Sequence, residues 1–289
     1  MIKKIGFIGV GVMGAPIARR LAGAGYDITV CDVNSAAADS LSDCAAVVTS
    51  PSGCAKLDLV FILVSTDAQV KNVLFAADGL APAIDPSRPP CIVVMSTVQP
   101  DTVRALALHQ ALKNVPILDA PISGGLDGAI SGALSVMVGG DRAHFEMVNP
   151  ALEKVGTKVA YCGPLGHGST TKILNNLIGV ANWLLMGEAM SLAASLGLDL
   201  DNLAAVMDTG SGRNFSTSNW ASRRALYGVY AGKPELVGSN MEICEKDLSL
   251  FLQLARQAGA ELPISRGLHQ VVSQTHASAI HSAWAPLVS

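Results

Sequence analysis

Residues 4–21 read KIGFIGVGVMGAPIARRL, and this stretch decides the fold. Residues 4–10 form an apolar run typical of a buried strand, and residues 15–25 have the pattern of a helix. Between them lie Gly9, Gly11 and Gly14 in the spacing GxGxxG. The first glycine permits a tight turn, the second lets a pyrophosphate approach the backbone, and the third lets the helix pack on the strand. The stretch predicts a dinucleotide-binding unit with the phosphates at the amino end of the helix.

A second predicted strand, residues 27–31, leads into Asp32, which follows Gly9 by 23 residues. A carboxylate at this place accepts hydrogen bonds from the adenosine ribose hydroxyls and repels a 2′-phosphate. The next three residues, VNS, supply no cationic side chain that would hold such a phosphate. The sequence therefore favours NAD over NADP. The alternative is a glycine-rich turn followed by an unrelated surface aspartate.

Three further apolar runs, residues 57–64, 91–96 and 115–119, predict strands. The segments between them are long enough for helices or irregular crossovers, so we expect a parallel sheet. Open α/β sheets bind their ligands beyond the carboxyl ends of the strands. Thr97, directly after the second run, is a candidate contact for the nicotinamide half of the cofactor. It is equally a candidate N-cap for a helix that begins near Pro100.

The sequence DAPISGG, residues 119–125, places a hydroxyl and two glycines in one turn. Ser123, with the backbone N–H groups of Gly124 and Gly125, offers a concave site of the kind that holds a carboxylate. A tight turn without a ligand is the alternative. A helix over residues 143–153 and a last strand over residues 158–162 complete the first predicted domain, residues 1–163.

A long helix is predicted within residues 163–196. Residues 173–187 carry no charge and are apolar on nearly every face, which is typical of a helix surrounded by protein. These fifteen residues, three of them Asn, fall short of the roughly 20 that cross a bilayer, so no membrane span is predicted. We expect a buried helix that joins the first domain to an all-helical second domain, residues 164–289.

Lys172 and Asn176 lie four residues apart near the start of this helix, and therefore on one face. They follow the glycine-rich sequence GPLGHG, which lets a ligand approach the backbone closely. A lysine partly desolvated at a cleft can act as a general acid/base, because desolvation lowers its pKa toward the working pH. The alternative is a structural lysine whose ammonium group reaches solvent.

Composition narrows the class of protein. The 289 residues are 50% hydrophobic and 15% charged, enough for sizeable cores. The net charge of −3 comes without a basic block, so neither nucleic acid nor a membrane surface is an expected partner. The six cysteines form no CxxC pair, which favours a reducing cytoplasm. The histidines show no metal-ligand spacing, and no metal is predicted.

Four stretches in this order resemble the β-hydroxyacid dehydrogenase family, which includes 3-hydroxyisobutyrate dehydrogenase, tartronate semialdehyde reductase and L-threonate dehydrogenase. They are GFIGVGVMGAPIARRL, DAPISGG, GHGSTTKILNN and, at residues 246–248, KDL. The resemblance covers nearly the whole chain. One departure is the tail, HASAIHSAWAPLVS, which lacks the charged residues expected near the family's end.

The resemblance implies a role for each matching residue. Lys172 would be the general acid/base, with Asn176 placing the substrate hydroxyl, and Ser123, Gly124 and Gly125 would bind the substrate carboxylate. Lys246 would reach the cofactor from the second domain, although acidic neighbours could instead hold it in surface ion pairs. The residues implied around the cofactor are Gly9, Gly11, Val12, Met13, Gly14, Asp32, Val64, Thr97 and Lys246.

The expected function is transfer of a hydride between nicotinamide and a small hydroxy acid resembling 3-hydroxyisobutyrate, glycerate or threonate. An aldehyde or imine reductase on the same fold is one alternative, and a catalytically silent dinucleotide-binding interaction protein is another. A largely apolar long helix and a small helical domain also predict a homodimer or homotetramer.

Overall fold

The computed structural model describes residues 2–274 together with Trp284 and Leu287, and for residues 231, 232, 234–236 and 239 the backbone alone. Residues 1–172 form one compact unit and residues 173–289 a second. The first unit therefore includes the beginning of the long helix. Most of the tail lies outside the described residues, as do His276 and His281.

The first unit is a sheet with helices between its strands. The strands are β1 (Lys4–Ile8), β2 (Asp27–Cys31), β3 (Ala46–Val47), β4 (Leu59–Ile62), β5 (Cys91–Val94), β6 (Ile117–Asp119), β7 (Ile122–Ser123), β8 (Ser135–Gly139) and β9 (Lys158–Gly163). The helices are α1 (Gly14–Gly23), α2 (Ser35–Asp39), α3 (Asp67–Phe75), α4 (Pro100–Leu108), α5 (Gly125–Ser131) and α6 (Arg142–Val155).

The strand order is β3-β2-β1-β4-β5-β6-β8-β7, with β9 paired to β8. Along this order, every pair of neighbouring strands between β3 at the edge and β6 is parallel, as the sequence predicts. Beyond these strands the sheet is mixed, because β8, for which no direction was predicted, runs antiparallel to β6 and β7. Only the short α5 connects β7 to β8, and a parallel pair requires a longer crossover.

The central strands are buried on both faces. Along β4, Leu59 and Phe61 belong to the apolar cluster on one side of the sheet, and Val60 and Ile62 to the cluster on the other. Successive side chains of a strand point to opposite faces, so a continuous apolar run fits a sheet covered on both sides. The carboxyl ends of β1, β2, β4 and β5 share one edge, which positions the loops of the candidate site.

The long helix α7 (His167–Ser195) begins in the first unit and continues into the second, where α8 (Leu200–Thr209), α9 (Trp220–Gly232), α10 (Pro234–Gln257) and α11 (Pro263–Gln274) follow. The described part of this unit is helical, as expected. Trp284 packs edge-on against Trp183 and Tyr227, with ring centroids 4.9 and 5.1 Å apart. Gly187 makes room for it, because a Cβ there would lie 2.3 Å from the indole nitrogen.

Helix α7 is less buried than its sequence predicts. Ile173, Val180, Met186 and Met190 are buried, but the opposite face of the helix exposes several large apolar side chains. The exposed fractions are 47% for Leu174, 57% for Ile178, 62% for Leu185 and 62% for Leu192. An uncharged sequence indicates that a helix is covered by protein. It does not show whether each face is covered by the rest of the same chain or by a second chain.

Candidate active site

The turn after β1 contains the three glycines of the GxGxxG motif. Gly9 has φ +93°, and a Cβ on it would lie 2.2 Å from the carbonyl oxygen of Leu63. A Cβ on Gly14 would lie 2.1 Å from the carbonyl oxygen of Gly9. Gly11 differs, because a Cβ there would meet no protein atom within 4 Å. The fold itself requires the first and third glycines, whereas the second leaves open space at the predicted position of the dinucleotide phosphates.

Helix α1 begins directly at this turn, with Met13 as its N-cap residue and Val12 73% exposed beside it. The first turn of any helix presents N–H groups without intrahelical partners, and they attract anions. Val12 and Met13 lie at this helix start, and their contact with the cofactor stays a prediction.

Asp32 follows β2 and ties two turns together. Its Oδ2 accepts a hydrogen bond from the N–H of Val10 at 2.8 Å, and its Oδ1 accepts one from the N–H of Asn34 at 2.8 Å. A carboxylate has about four acceptor positions, so both oxygens keep capacity for ribose hydroxyls. The acceptor oxygens of Asp32 therefore suit the ribose hydroxyls at the adenosine end of NAD.

The loops after β4 and β5 are bonded to each other. The N–H of Val64 donates to Ser96 Oγ at 2.8 Å, and the N–H of Gln99 donates to Asp67 Oδ1 at 3.0 Å. Thr97 is half-buried between these contacts. The suggestion that Thr97 caps the next helix is wrong, because Gln99 is the N-cap residue of α4.

Ser123, Gly124 and Gly125 form the turn between β7 and α5. Ser123 is half-buried and pairs with Ser135 of β8. Gly124 and Gly125 have φ of +137° and +66°, values that disfavour other residues. A Cβ on Gly125 would meet no protein atom within 4 Å, so its backbone is open to a ligand. Carboxylate binding at this turn stays a prediction.

Lys172 lies in the second turn of α7 and is only 8% exposed. Near the start of this helix lies the carboxylate of Asp119, which is completely buried. Asp119 Oδ1 accepts a hydrogen bond from the N–H of Gly166 at 2.8 Å, and Oδ2 accepts one from the N–H of Ser169 at 2.6 Å. In the sequence, Asp119 is the end of a predicted strand and the first residue of DAPISGG, and no role was predicted for it. Its position at the end of an apolar run was the available signal.

In the second unit, Asn176 and Lys246 share one partner. Asn176 Nδ2 donates to Asp247 Oδ2 at 2.6 Å, and Lys246 Nζ pairs with Asp247 Oδ1 at 2.8 Å. Asp247 is 6% exposed, so this is a largely buried carboxylate with a polar and a cationic partner. From the sequence, Asp247 was only one of the acidic neighbours that could hold Lys246 in a surface ion pair, and neither its burial nor its bond to Asn176 was predicted.

The structure thus collects the predicted cofactor residues of the first unit at one edge of its sheet, with Lys172 on the helix that follows the last strand. In the second unit it joins Asn176 to Lys246 through Asp247. The individual roles given to these residues stay predictions. The arrangement as a whole is that of a dinucleotide-dependent dehydrogenase.

Comparison with known proteins identifies the family. Residues 4–163 match the family described as the NAD binding domain of 6-phosphogluconate dehydrogenase, and residues 166–284 match the NAD-binding domain of NADP-dependent 3-hydroxyisobutyrate dehydrogenase. The 2-hydroxy-3-oxopropionate reductase of Escherichia coli is 34% identical, over 90% of this chain and 87% of its own. The NAD-dependent L-serine dehydrogenase of Pseudomonas aeruginosa is 31% identical, over 91% and 89%.

A solved structure of Mycobacterium tuberculosis 3-hydroxyisobutyrate dehydrogenase with L-serine superposes with a TM-score of 0.77. The two chains are 26% identical, and the match covers 98% of this chain and 99% of the other. The chain belongs to the β-hydroxyacid dehydrogenase family. It is an NAD-dependent hydroxyacid dehydrogenase, an enzyme that acts on CH–OH donors. An imine reductase from a Pseudomonas species shares the fold alone, at 17% identity and a TM-score of 0.61.

Proposed function

We propose that the enzyme transfers a hydride between NAD and a short hydroxy acid whose carboxylate is held at Ser123, Gly124 and Gly125. Lys172 is the general acid/base in this proposal. The observation that carries it is the burial of Lys172 at 8% exposure, in the same unit as the open glycine turn at Gly125. A lysine with only a structural role commonly extends its ammonium group into water, whereas Lys172 is buried.

The bound NAD supplies a nicotinamide C4 that accepts or returns the hydride. In the oxidation direction, the hydroxyl proton of the substrate passes to a neutral Lys172 amine as the hydride leaves the carbinol carbon, and a carbonyl forms. In the reverse direction the Lys172 ammonium returns that proton to the carbonyl oxygen. Asn176, four residues further along the same helix, orients the oxygen atom that gains or loses the proton.

The names of the relatives suggest which acids to try first. The E. coli and P. aeruginosa proteins are named for 2-hydroxy-3-oxopropionate and L-serine, which are both three-carbon carboxylates with an oxygen at the reacting carbon. We propose a short hydroxy acid of about this size, which includes glycerate-like acids and the 3-hydroxyisobutyrate-like and threonate-like acids that are one carbon larger.

The test is NADH formation with a panel of short hydroxy acids, with NAD and with NADP. Lys172→Ala is expected to lose about 10²-fold or more in kcat while NAD still binds, since general acid/base groups contribute about 10²–10⁴-fold. Lys113→Ala, which removes an exposed lysine, is the matched control and is expected to behave like wild type. Full activity in Lys172→Ala would overturn the assigned role. Absence of turnover with every acid, despite NAD binding, would favour an aldehyde or imine substrate.

We also propose that the enzyme is a homodimer or homotetramer that pairs through α7. Ile178, Leu185 and Leu192 recur every seven residues on its exposed face, the spacing of a helix that packs against another helix. With 29 residues, α7 is about 44 Å long, and only 33% of its apolar 18-residue stretch is buried within the chain. By length and composition this helix could also cross a membrane. A second copy presents the same uncharged stripe, so a two-fold interface covers both.

Light scattering should give a multiple of the 29.8 kDa chain mass for the wild type. The double variant Ile178→Glu/Leu185→Glu is expected to run as a monomer, because the new charges would be buried without partners. Val206→Glu places the same charge at a 60% exposed apolar residue of α8 and serves as the control. A monomeric wild type would refute the pairing.

We propose a cytoplasmic location. All six cysteines are free thiols, which suits a reducing compartment. Immunodetection in a fractionated cell checks the proposal, and enrichment in a membrane or secreted fraction would contradict it.

A further inference from the structure

Asp119 contacts two parts of the first unit that the proposed reaction uses. It ends β6 and lies four residues before Ser123, with the short strand β7 leading from there into the turn that contains Gly124 and Gly125. Its carboxylate bonds to the N–H groups of Gly166 and Ser169, at the start of α7. Lys172 lies three residues after Ser169, on the same side of the helix one turn further along.

The surroundings of this carboxylate leave little room for adjustment. A Cβ on Gly139 would lie 2.4 Å from Asp119 Oδ1, and a Cβ on Gly168 would lie 3.0 Å from Asp119 Oδ2 and 2.8 Å from its carbonyl oxygen. The same Cβ on Gly139, in β8, would lie 2.7 Å from the backbone nitrogen of Gly168. Two glycines on two elements therefore allow β6, β8 and the start of α7 to meet around one side chain.

A carboxylate suits this position better than a neutral group of the same size. Both oxygens accept from backbone N–H groups, and the negative charge lies at the positive end of the α7 dipole. An asparagine would keep one acceptor and turn an NH₂ group toward the other N–H. That donor would face a donor, so the start of α7 would have to shift.

We propose that Asp119 is a positioning residue, which fixes Lys172 relative to the Ser123 turn by holding the first turn of α7. The proposal rests on the proposed function, because it acts through Lys172. A misplacement of a catalytic group by about 1 Å can lower the rate by about 10²-fold. We expect the loss of one hydrogen bond from Asp119 to move the start of α7, and Lys172 with it, by about this distance.

The experiment compares Asp119→Asn, Lys172→Ala and the double variant in steady-state turnover of the best hydroxy acid. Asp119→Asn is expected to lose about 10²-fold in kcat, with NAD affinity and the KM of the acid nearly unchanged. Its primary deuterium isotope effect on kcat should rise, because hydride transfer becomes slower than product release. The double variant should be no slower than Lys172→Ala, since residues that act as a unit are not additive.

Asp119→Ser serves as a second variant if Asp119→Asn does not fold, because its smaller hydroxyl places no NH₂ group against a backbone N–H. Normal kcat and isotope effect in a folded Asp119 variant would overturn the proposal, as would a further loss in the double variant. If Lys172→Ala itself keeps full activity, the proposed function fails instead. The two failures are thus distinguishable.

Discussion

Gly9 and Gly11 belong to the same motif but are glycines for different physical reasons. Gly9 combines a positive φ with a backbone carbonyl 2.2 Å from the position of a Cβ. Gly11 has no protein atom within 4 Å of that position. The first constraint comes from the folded chain and the second from the proposed ligand, so substitutions at the two positions should separate stability from cofactor binding.

We expect Gly9→Ala to lower the free energy of unfolding by about 3 kcal/mol, from backbone strain and overpacking together. Gly11→Ala should change the stability of the protein without ligand by less than about 0.5 kcal/mol and weaken NAD binding by about tenfold or more. Denaturant unfolding and NAD titration measure the two effects. A Gly11→Ala protein that binds NAD normally would show that the open space is not the phosphate site.

Asp32 allows a test of cofactor choice. Asp32→Ser keeps a small acceptor and removes the charge that repels a 2′-phosphate. We expect the ratio of kcat/KM for NADP to that for NAD to rise by about tenfold to a hundredfold, which corresponds to loss of one charge-assisted interaction. Asp27→Ser, at an exposed position at the start of β2, is the control. An unchanged ratio would show that Asp32 does not select between NAD and NADP.

At the scale of the elements, α3 depends on a defined N-terminal cap. Thr66 accepts from the N–H of Gln69 at 3.2 Å, and Gln69 Oε1 accepts from the N–H of Thr66 at 3.1 Å. This capping box lies directly after β4, at the edge of the sheet where the cofactor residues collect.

We expect Thr66→Ala to lower the free energy of unfolding by about 1 kcal/mol, because the N–H of Gln69 loses its acceptor. Thr66→Ser keeps the hydroxyl and should recover most of that loss. Thermal or urea unfolding measures both variants. Equal destabilisation by serine and alanine would mean that the methyl group of Thr66, rather than its cap, stabilises α3.

Across the whole molecule, burial separates the six thiols into two groups. Burial raises the pKa of Cys54, Cys91 and Cys244 to about 12 and that of Cys31 to about 11. Cys44 and Cys162 are only half-buried. The thiolate is the reactive form, so a raised pKa leaves less of it at pH 8.

We therefore expect two thiols of the native protein to react quickly with Ellman's reagent and the other four only after unfolding. Cys44→Ser and Cys162→Ser should each remove one equivalent of the fast phase. Rapid reaction of four or more thiols in the native state would show that the buried cysteines become accessible through local opening.

The sequence by itself determined the glycine turn, β2 with Asp32 after it, the central parallel strands, the helical second unit and the use of NAD. These features depend on local backbone constraints and on hydrophobic periodicity, which a few neighbouring residues specify. The predicted strands extended up to two residues too far at either end, because apolar residues continue into the loops.

Only the tertiary structure decided the antiparallel direction of β8, the exposure of one face of α7 and the N-cap at Gln99 rather than Thr97. It also decided that Asp119 holds the start of α7 and that Asp247 joins Asn176 to Lys246. Each of these depends on contacts between residues distant in sequence: 50 positions separate Asp119 from Ser169, and 71 separate Asn176 from Asp247. A buried carboxylate is defined by the N–H and ammonium groups that surround it, and only the folded chain brings those groups to it.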